Sequence, residues 1–178
     1  MKNHILVFLL LIFAKSFAQN NVISEISLSK KLLIAEIKNN KIHLKVDADE
    51  FIKTYNKEAY LQKQVIKNLE VIVDYTMGDF HEKYYYLHLW SEYHKIDVAR
   101  WLFVEGNNLY IDFSNDPEIY TYKDLYISCE GFGKCSPHLF IVEDEYFWNC
   151  EETVTECKPF VEGDSKNRCQ TSKTIFSD

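Results

Sequence analysis

The spacing of apolar positions changes period along the chain, and each period predicts a different element. Between Ser27 and Val46 apolar residues surround Asn39-Asn40, and asparagine tolerates the positive φ of a tight turn, so a β-hairpin is expected. Asp47 is a good N-cap with Glu50 three residues later. A helical stripe follows, which predicts a helix over about residues 48–68. The stripe contains Ala48, Phe51, Ile52, Tyr55, Ala59, Val65, Ile66 and Leu69.

After Glu70 the apolar positions recur at every second residue, which is typical of strands with one buried face. Gly106-Asn107-Asn108 has the composition of a hairpin turn. We therefore expect an α+β fold: an N-terminal β-hairpin, one long amphipathic helix packed on a curved antiparallel β-meander, and a disulfide-stapled C-terminal region. The strands of this meander are expected at 71–75, 82–94, 97–105, 109–113, 118–128, 138–142 and 146–148.

The first 18 residues have the pattern of a secretory signal peptide. Lys2 precedes the apolar run Ile5–Ala14, and Ser16-Phe17-Ala18 places small residues where a signal peptidase cleaves. The run is about half the length of a membrane span, which needs about 20 residues. We expect residues 1–18 to be a signal peptide, 19–158 a single α+β domain, and 159–178 a polar, flexible tail unless Cys169 anchors it. The exported chain would be periplasmic or extracellular.

Charge narrows the classes of partner. The formal net charge is −7, and loss of Lys2 and Lys15 with the signal peptide lowers it to −9. An acidic protein repels phosphate backbones and anionic lipid, so nucleic-acid binding is not expected, and no later segment is apolar enough to span a membrane. The chain is rich in Lys, Asn, Ile and Tyr and has no Asn-x-Ser/Thr acceptor, which favours a bacterial source.

The five cysteines all lie in the C-terminal part of the chain, and in an exported protein they indicate disulfides. The preferred pairing is local, with Cys129 bonded to Cys135 and Cys150 bonded to Cys157. That pairing leaves Cys169 for a disulfide-linked dimer or without a role. Fifteen arrangements of two bridges among five cysteines are open. Zinc is disfavoured because no Cys-x-x-Cys pair is present.

The segment around residue 88 carries the main candidate binding surface. In a strand, Tyr85, Leu87 and Leu89 share one face, which is the core face. The opposite face mixes aromatic and polar side chains, which either lie half-buried under another element or form a binding platform. The predicted binding residues are Tyr84, Tyr86, His88, Trp90, Glu92, His94, Tyr120 and Tyr122.

Catalytic and metal-binding motifs are weak. The chain has no Gly-x-Ser-x-Gly elbow, no phosphate-binding glycine loop and no His-Glu-x-x-His motif. His81, His88 and His94 with nearby acids leave a metal-dependent hydrolase as an alternative, although His88 and Glu92 stand about 13 Å apart along one strand. Acidic and hydroxyl residues alternate from Asp112 to Glu118, but the glycine of a calcium loop is missing. No cofactor is predicted.

These observations favour a small exported binding protein without enzymatic activity. The aromatic strand face or the acidic surface would contact a protein or glycan partner. The alternatives are the metal-dependent hydrolase and a structural component of the cell envelope.

Overall fold

The computed structural model of the chain describes residues 31–113, 121–131, 135–150 and 170–174. These residues form mostly antiparallel sheets with one helix. The elements in chain order are β1 (Lys31–Lys38), β2 (Lys41–Leu44), α1 (Ala48–Tyr60), β3 (Asn68–Tyr75), β4 (Met77–Gly78), β5 (Lys83–Ser91), β6 (Ile96–Trp101), β7 (Phe103–Glu105), β8 (Asn108–Asp112), β9 (Tyr126–Glu130), β10 (His138–Val142), β11 (Glu145–Asn149) and β12 (Gln170–Thr174).

The strands belong to three sheets. The first has the order β2-β1-β8-β7, the second β12-β9-β6-β5-β3, and the third β11-β10-β4. The predicted N-terminal hairpin is confirmed as β1 and β2, with Asn39 and Asn40 at positive φ in the turn. The curved single meander is not supported, because the sheets are not curled and the strands are shared among three of them.

The predicted strand over 97–105 is divided between two sheets. It breaks at Leu102, whose side chain is fully buried, so that β6 joins the second sheet and β7 the first. The predicted strand over 118–128 begins only at Tyr126. Before it, the backbone amide and hydroxyl of Thr121 both donate to the Asp124 carboxylate, and this pattern stabilises a turn rather than a strand.

The helix α1 starts where the sequence predicts. The backbone amide of Glu50 donates to the Asp47 carboxylate over 3.0 Å, which confirms Asp47 as the N-cap. The predicted length is wrong, however, because the helix has 13 residues and ends at Tyr60. Leu61 and Gln62 then adopt left-handed backbone conformations that reverse the chain.

Buried Asn56 explains why the helix stops. Its side-chain oxygen accepts from the backbone amides of Val65 and Ile66, and its side-chain amide donates to the Ile66 carbonyl. These bonds hold the segment after the turn in a non-helical conformation. Val65 and Ile66 therefore reach the core, as their apolar character predicts, but from outside the helix.

One hydrophobic core lies between the helix and the sheets. Tyr55 of α1 packs there with side chains from β1, β5, β6 and β8. The fully buried members of this core are Ile34, Ala35, Ile66, Leu87, Leu89, Val98, Leu102, Leu109 and Ile111.

A second core lies on the opposite face of the five-stranded sheet, beneath the hairpin of β10 and β11. Trp148 and Leu139 of the hairpin pack on Tyr84, Tyr86 and Ile127. The strand β4 joins this hairpin in parallel, and Gly78 lies where an added Cβ would be 2.3 Å from the Ile141 carbonyl oxygen. Only glycine lets the two backbones come this close. Its φ of +92° also favours glycine, because other residues rarely adopt this conformation.

Buried Arg100 connects the turn before β9 with the end of β8. Its guanidinium donates to the backbone carbonyls of Lys123 and Asp112 and lies over the Tyr126 ring. Burial lowers the pKa of this arginine. Arg100 thus fixes the turn before β9 to the end of β8.

The disulfide pairing differs from the local one predicted. Cys129 on β9 is bonded to Cys150, which follows β11, across a sequence separation of 21. Both the Cys129–Cys135 and the Cys150–Cys157 pairings are therefore wrong. Cys135 is also disulfide-bonded, and the cysteine it joins lies outside the described residues. The predicted dimer through Cys169 concerns a residue that is likewise outside them.

The C-terminal strand lies within the range predicted as a tail. β12 pairs antiparallel with β9, with Gln170 opposite Glu130 and Thr174 opposite Tyr126. It therefore forms one edge of the five-stranded sheet. The described ranges contain no helix that is long and apolar enough to cross a membrane.

Candidate functional site

The two faces of β5 separate as its alternating sequence predicts. Leu87 and Leu89 point into the core beneath the helix, whereas Tyr84 and Tyr86 belong to the core beneath the β10–β11 hairpin. His88 and Trp90 continue the second face toward the end of the strand and are half-buried. One face of one strand therefore has a covered half and a more open half.

Tyr84 and Tyr86 do not line an open surface. They are 2% and 6% exposed, and each ring contacts the Trp148 indole edge-on. The Leu139 backbone amide donates to the Tyr84 hydroxyl over 3.4 Å. Burial raises the pKa of both phenols above the ordinary value. These two predicted binding residues are core residues.

His88 lies between two carboxylates on the neighbouring strands. Its Nδ1 atom is 3.2 Å from Glu70 Oε1 on β3, and its Nε2 atom is 2.8 Å from Asp97 Oδ1 on β6. An imidazolium ring donates to both carboxylates, whereas a neutral ring donates to only one. This row of three side chains connects the edge strand β3 to the middle of the sheet.

Trp90 stacks on His88 and borders a small cavity. The two ring centroids are 4.8 Å apart, with planes inclined by 10°. The cavity has a volume of about 170 Å³ and lies where β5 turns into β6. Its lining residues are Trp90, Ser91, Glu92, Lys95, Ile96, Asp97, Gly131 and Cys135.

The cavity combines an indole with an excess of negative charge. Its lining includes two acidic residues, Glu92 and Asp97, and one basic residue, Lys95. Glu70 adds a third carboxylate on the far side of His88. We call the set of Trp90, Glu92 and Asp97 the acidic cavity. Its residues are of the types that bind a cation, since an indole has a π-face and carboxylates are oxygen acceptors.

The turn from β5 to β6 shapes the acidic cavity. Lys95 adopts a left-handed conformation, and its carbonyl accepts from the Gly131 amide over 3.1 Å. This bond ties the turn to the end of β9. The turn also ends β5 at Ser91, so the strand predicted to reach His94 ends three residues earlier. His94 is exposed, contacts Tyr93 edge-on, and does not line the cavity.

Tyr122 belongs to a separate aromatic group on the same side of the sheet. It stacks on Tyr146 with centroids 4.7 Å apart and meets Trp101 edge-on. The Lys123 ammonium lies 5.4–5.8 Å from the rings of Trp101, Phe103 and Tyr122. Burial raises the pKa of Tyr122 to about 12. The structure therefore does not bring Tyr122 to the acidic cavity. Tyr120 lies outside the described residues.

His81, His88 and His94 have separate contacts and do not form a shared metal site in the structure. His81 Nδ1 contacts the Thr76 carbonyl, His88 contacts Glu70 and Asp97, and His94 lies in the exposed turn. In the part of the chain that the structure describes, no group of three or more His, Cys, Asp or Glu residues has the geometry to hold a metal ion. Of the residues considered for calcium, only Asp112 is described, and it lies 4.0 Å from the Lys31 ammonium.

Sequence reasoning missed Glu70, Lys95 and Asp97. In the structure, a four-residue turn after Ser91 places Asp97 opposite Trp90, on the same face. The sequence gives no signal for this turn, because residues 92–95 contain no glycine, proline, asparagine, aspartate or serine. Glu70 is directly opposite His88 on β3. Neither pairing follows from alternation alone, because alternation sets the face of a residue and not its cross-strand neighbour.

Comparison with known proteins gives no assignment. No family model matches the chain, and neither a curated protein nor a solved structure shows significant similarity to it.

Proposed function

We propose that this chain is a non-enzymatic binding protein for a basic protein partner, and that the acidic cavity receives an arginine or lysine side chain of that partner. The observation that carries this proposal is the joint lining of one small cavity by Trp90, Glu92 and Asp97. The proposal keeps the predicted class of binding protein and narrows the recognition surface to three residues.

The cavity chemistry supports a cationic group. An indole face attracts a cation through its quadrupole, and a guanidinium also forms paired hydrogen bonds with carboxylates. Trp90 supplies the indole, and Glu92 and Asp97 supply the oxygen acceptors. The volume of about 170 Å³ suits the end of one side chain rather than a large ligand.

The net charge of the whole chain also favours a basic partner. The formal net charge of −7 steers basic partners toward the protein and repels acidic ones. Arginine is also enriched at interfaces and among the residues that contribute most binding energy. No observation in the described residues favours the metal-dependent hydrolase or the envelope component over this function.

Export remains part of the proposal. The buried Cys129–Cys150 bond agrees with an oxidising compartment, since disulfides are rare in reducing cytosol. A signal peptide over residues 1–18 would deliver the chain to the periplasm or the exterior.

The test is a direct binding screen on purified protein. Basic peptides are arrayed beside matched peptides in which citrulline replaces arginine and norleucine replaces lysine, and a glycan array is probed in parallel. We expect binding to the basic peptides only, and weaker binding as salt concentration rises. Binding to glycans alone, or equal binding to charged and neutral peptides, would contradict the proposal.

Variants then locate the site. Trp90→Ala and Glu92→Gln should each weaken binding of a selected basic peptide about tenfold. Tyr93→Ala is the matched control, because Tyr93 is an exposed aromatic residue of the same turn that does not line the cavity. Its affinity should stay within about twofold of the wild type. Equal losses in Tyr93→Ala and Trp90→Ala would show that the cavity is not the site.

A further inference from the structure

The strand β3 forms an edge of the five-stranded sheet. It is hydrogen-bonded to β5 on one side, and no described strand is hydrogen-bonded to its other side. The helix α1 and the strand β2 also contact β3. An edge strand presents backbone amides and carbonyls that point outward at alternate residues, and an extended peptide can bond to them.

This edge is long and regular. Its eight residues pair with β5 without a register shift from Asn68 to Tyr75. The segment contains neither proline nor lysine, and no bulge interrupts it. Its only charged residues are Glu70 and Asp74, so any protection of this edge against pairing comes from negative charge. Val73 and Tyr75 are 43% and 58% exposed on one face of it.

Charge selects among the strands that could bind here. Glu70, Ile72 and Asp74 share the face that carries His88, so the edge has two carboxylates four residues apart. A second copy of the chain would bring two more carboxylates to that face, and like charges across a strand pair are destabilising. A basic strand would instead place cations opposite both acids.

The edge and the acidic cavity belong to one surface. Glu70 contacts His88, and His88 contacts Asp97, which lines the cavity. Two strand spacings, or about 10 Å, separate β3 from β6. One partner can therefore contact both regions.

We propose that the basic partner binds as an added strand along the outer edge of β3, through an extended segment with the pattern basic-x-apolar-x-basic. The two basic residues face Glu70 and Asp74, and the apolar residue between them faces Ile72. The two x positions face Val71 and Val73 on the other side of the sheet, where β-branched residues fit. This inference rests on the proposed function, because it requires a basic protein partner.

The experiment uses an eight-residue peptide containing Arg-Val-Ile-Val-Arg, with threonine at the flanking positions, and purified wild-type protein. Two further peptides carry backbone N-methyl groups, one at the odd and one at the even positions. In an added strand only one set of amides points toward β3. We expect one N-methylated peptide to bind within about twofold of the parent, and the other to lose at least tenfold in affinity.

Two controls and one further measurement refine the result. A peptide of the same composition with adjacent arginines should bind at least about fivefold more weakly, because its charges cannot face both acids. The Glu70→Gln/Asp74→Asn variant should lose about tenfold in affinity for the parent peptide. Amide exchange at residues 68–75 should slow when the parent peptide binds.

The outcomes separate this inference from the proposed function. If both N-methylated peptides bind equally while Trp90→Ala abolishes binding, the added strand is wrong and the acidic cavity stands. If no basic peptide binds the wild-type protein, both are wrong. The N-methyl comparison uses only wild-type protein, so it decides the question even if the double variant fails to fold.

Discussion

The two halves of the same face of β5 have different environments. Tyr84 and Tyr86 are buried beneath the β10–β11 hairpin, whereas His88 and Trp90 lie beside an open cavity with carboxylates around them. All four residues alternate along one strand and were predicted to act together. Of these four residues, only Trp90 lines the cavity.

The difference arises from the β10–β11 hairpin, which covers only one half of the face, and not from the strand itself. Trp148 contacts both tyrosine rings, and the Cys129–Cys150 bond fixes the end of its hairpin to β9. Beyond Tyr86 the face continues to His88 and Trp90, and the β5–β6 turn forms part of the cavity wall. A regular face can thus lie in the core at one end and beside a cavity at the other.

Removing the Trp148 side chain, which covers the tyrosines, should have the largest effect on stability. Trp148→Ala deletes a buried indole that packs on Tyr84 and Tyr86, so we expect it to lower the free energy of unfolding by about 3–5 kcal/mol. Urea unfolding measures this change. A loss below about 1 kcal/mol would mean that the hairpin does not stabilise this half of the face.

Removing the covalent anchor should cost somewhat less. The Cys129→Ala/Cys150→Ala double variant opens a loop with a sequence separation of 21, for which we expect a loss of about 3 kcal/mol. The measurement is urea unfolding, with binding of a hydrophobic dye to report exposure of Tyr84 and Tyr86. Unchanged stability together with unchanged dye binding would show that the hairpin is held by packing alone.

Alkaline pH should destabilise the covered half. Burial raises the pKa of Tyr84 and Tyr86, so below about pH 10 both are protonated in the folded and unfolded chain and stability is unaffected. Above about pH 10 the unfolded chain releases protons that the folded chain keeps. Stability should therefore fall by up to about 1.4 kcal/mol per pH unit for each buried tyrosine.

The variant Tyr86→Phe isolates one of these contributions. Its stability should fall less steeply between pH 10 and 11.5, by about 1.4 kcal/mol per pH unit relative to wild type. Urea unfolding at several pH values measures the slope. Tyr93→Phe, at an exposed tyrosine, is the control and should leave the slope unchanged. Equal slopes for Tyr86→Phe and wild type would contradict the burial of Tyr86.

The smallest effect on stability is expected in the open half. Trp90→Ala removes a stacking contact with half-buried His88, which predicts a loss of about 1 kcal/mol. The same variant should lose about tenfold in affinity for a basic peptide. Thermal unfolding and calorimetric titration measure the two effects. A stability loss as large as that of Trp148→Ala would show that the two halves do not differ.

Much of the local structure could be predicted. The asparagine turn, the Asp47 cap and the two faces of β5 depend on neighbours within a few residues, and all three are confirmed. The helix length was not predictable from its stripe. Asn56 holds the segment after the helix through bonds to Val65 and Ile66. These two apolar residues match the helical spacing in the sequence, so the spacing alone does not show that they lie outside the helix.

The candidate site could be predicted only in part. His88, Trp90 and Glu92 were predicted as binding residues because aromatic and polar side chains share one strand face, and Trp90 and Glu92 line the cavity. Tyr84 and Tyr86 were assigned to the same surface, because nothing local separates them from His88. The element that buries them begins more than 50 residues later, as the bond between Tyr84 and Leu139 shows with its separation of 55.

By itself, the sequence determined the class of fold, the faces of its main strands and the acidic charge of the chain, since periodicity and composition are local properties. The tertiary structure alone decided the Cys129–Cys150 pairing, the neighbours of His88 and the half of the β5 face that is covered. These features depend on contacts between distant segments, and cross-strand register selects them. Alternation within one strand carries no information about that register.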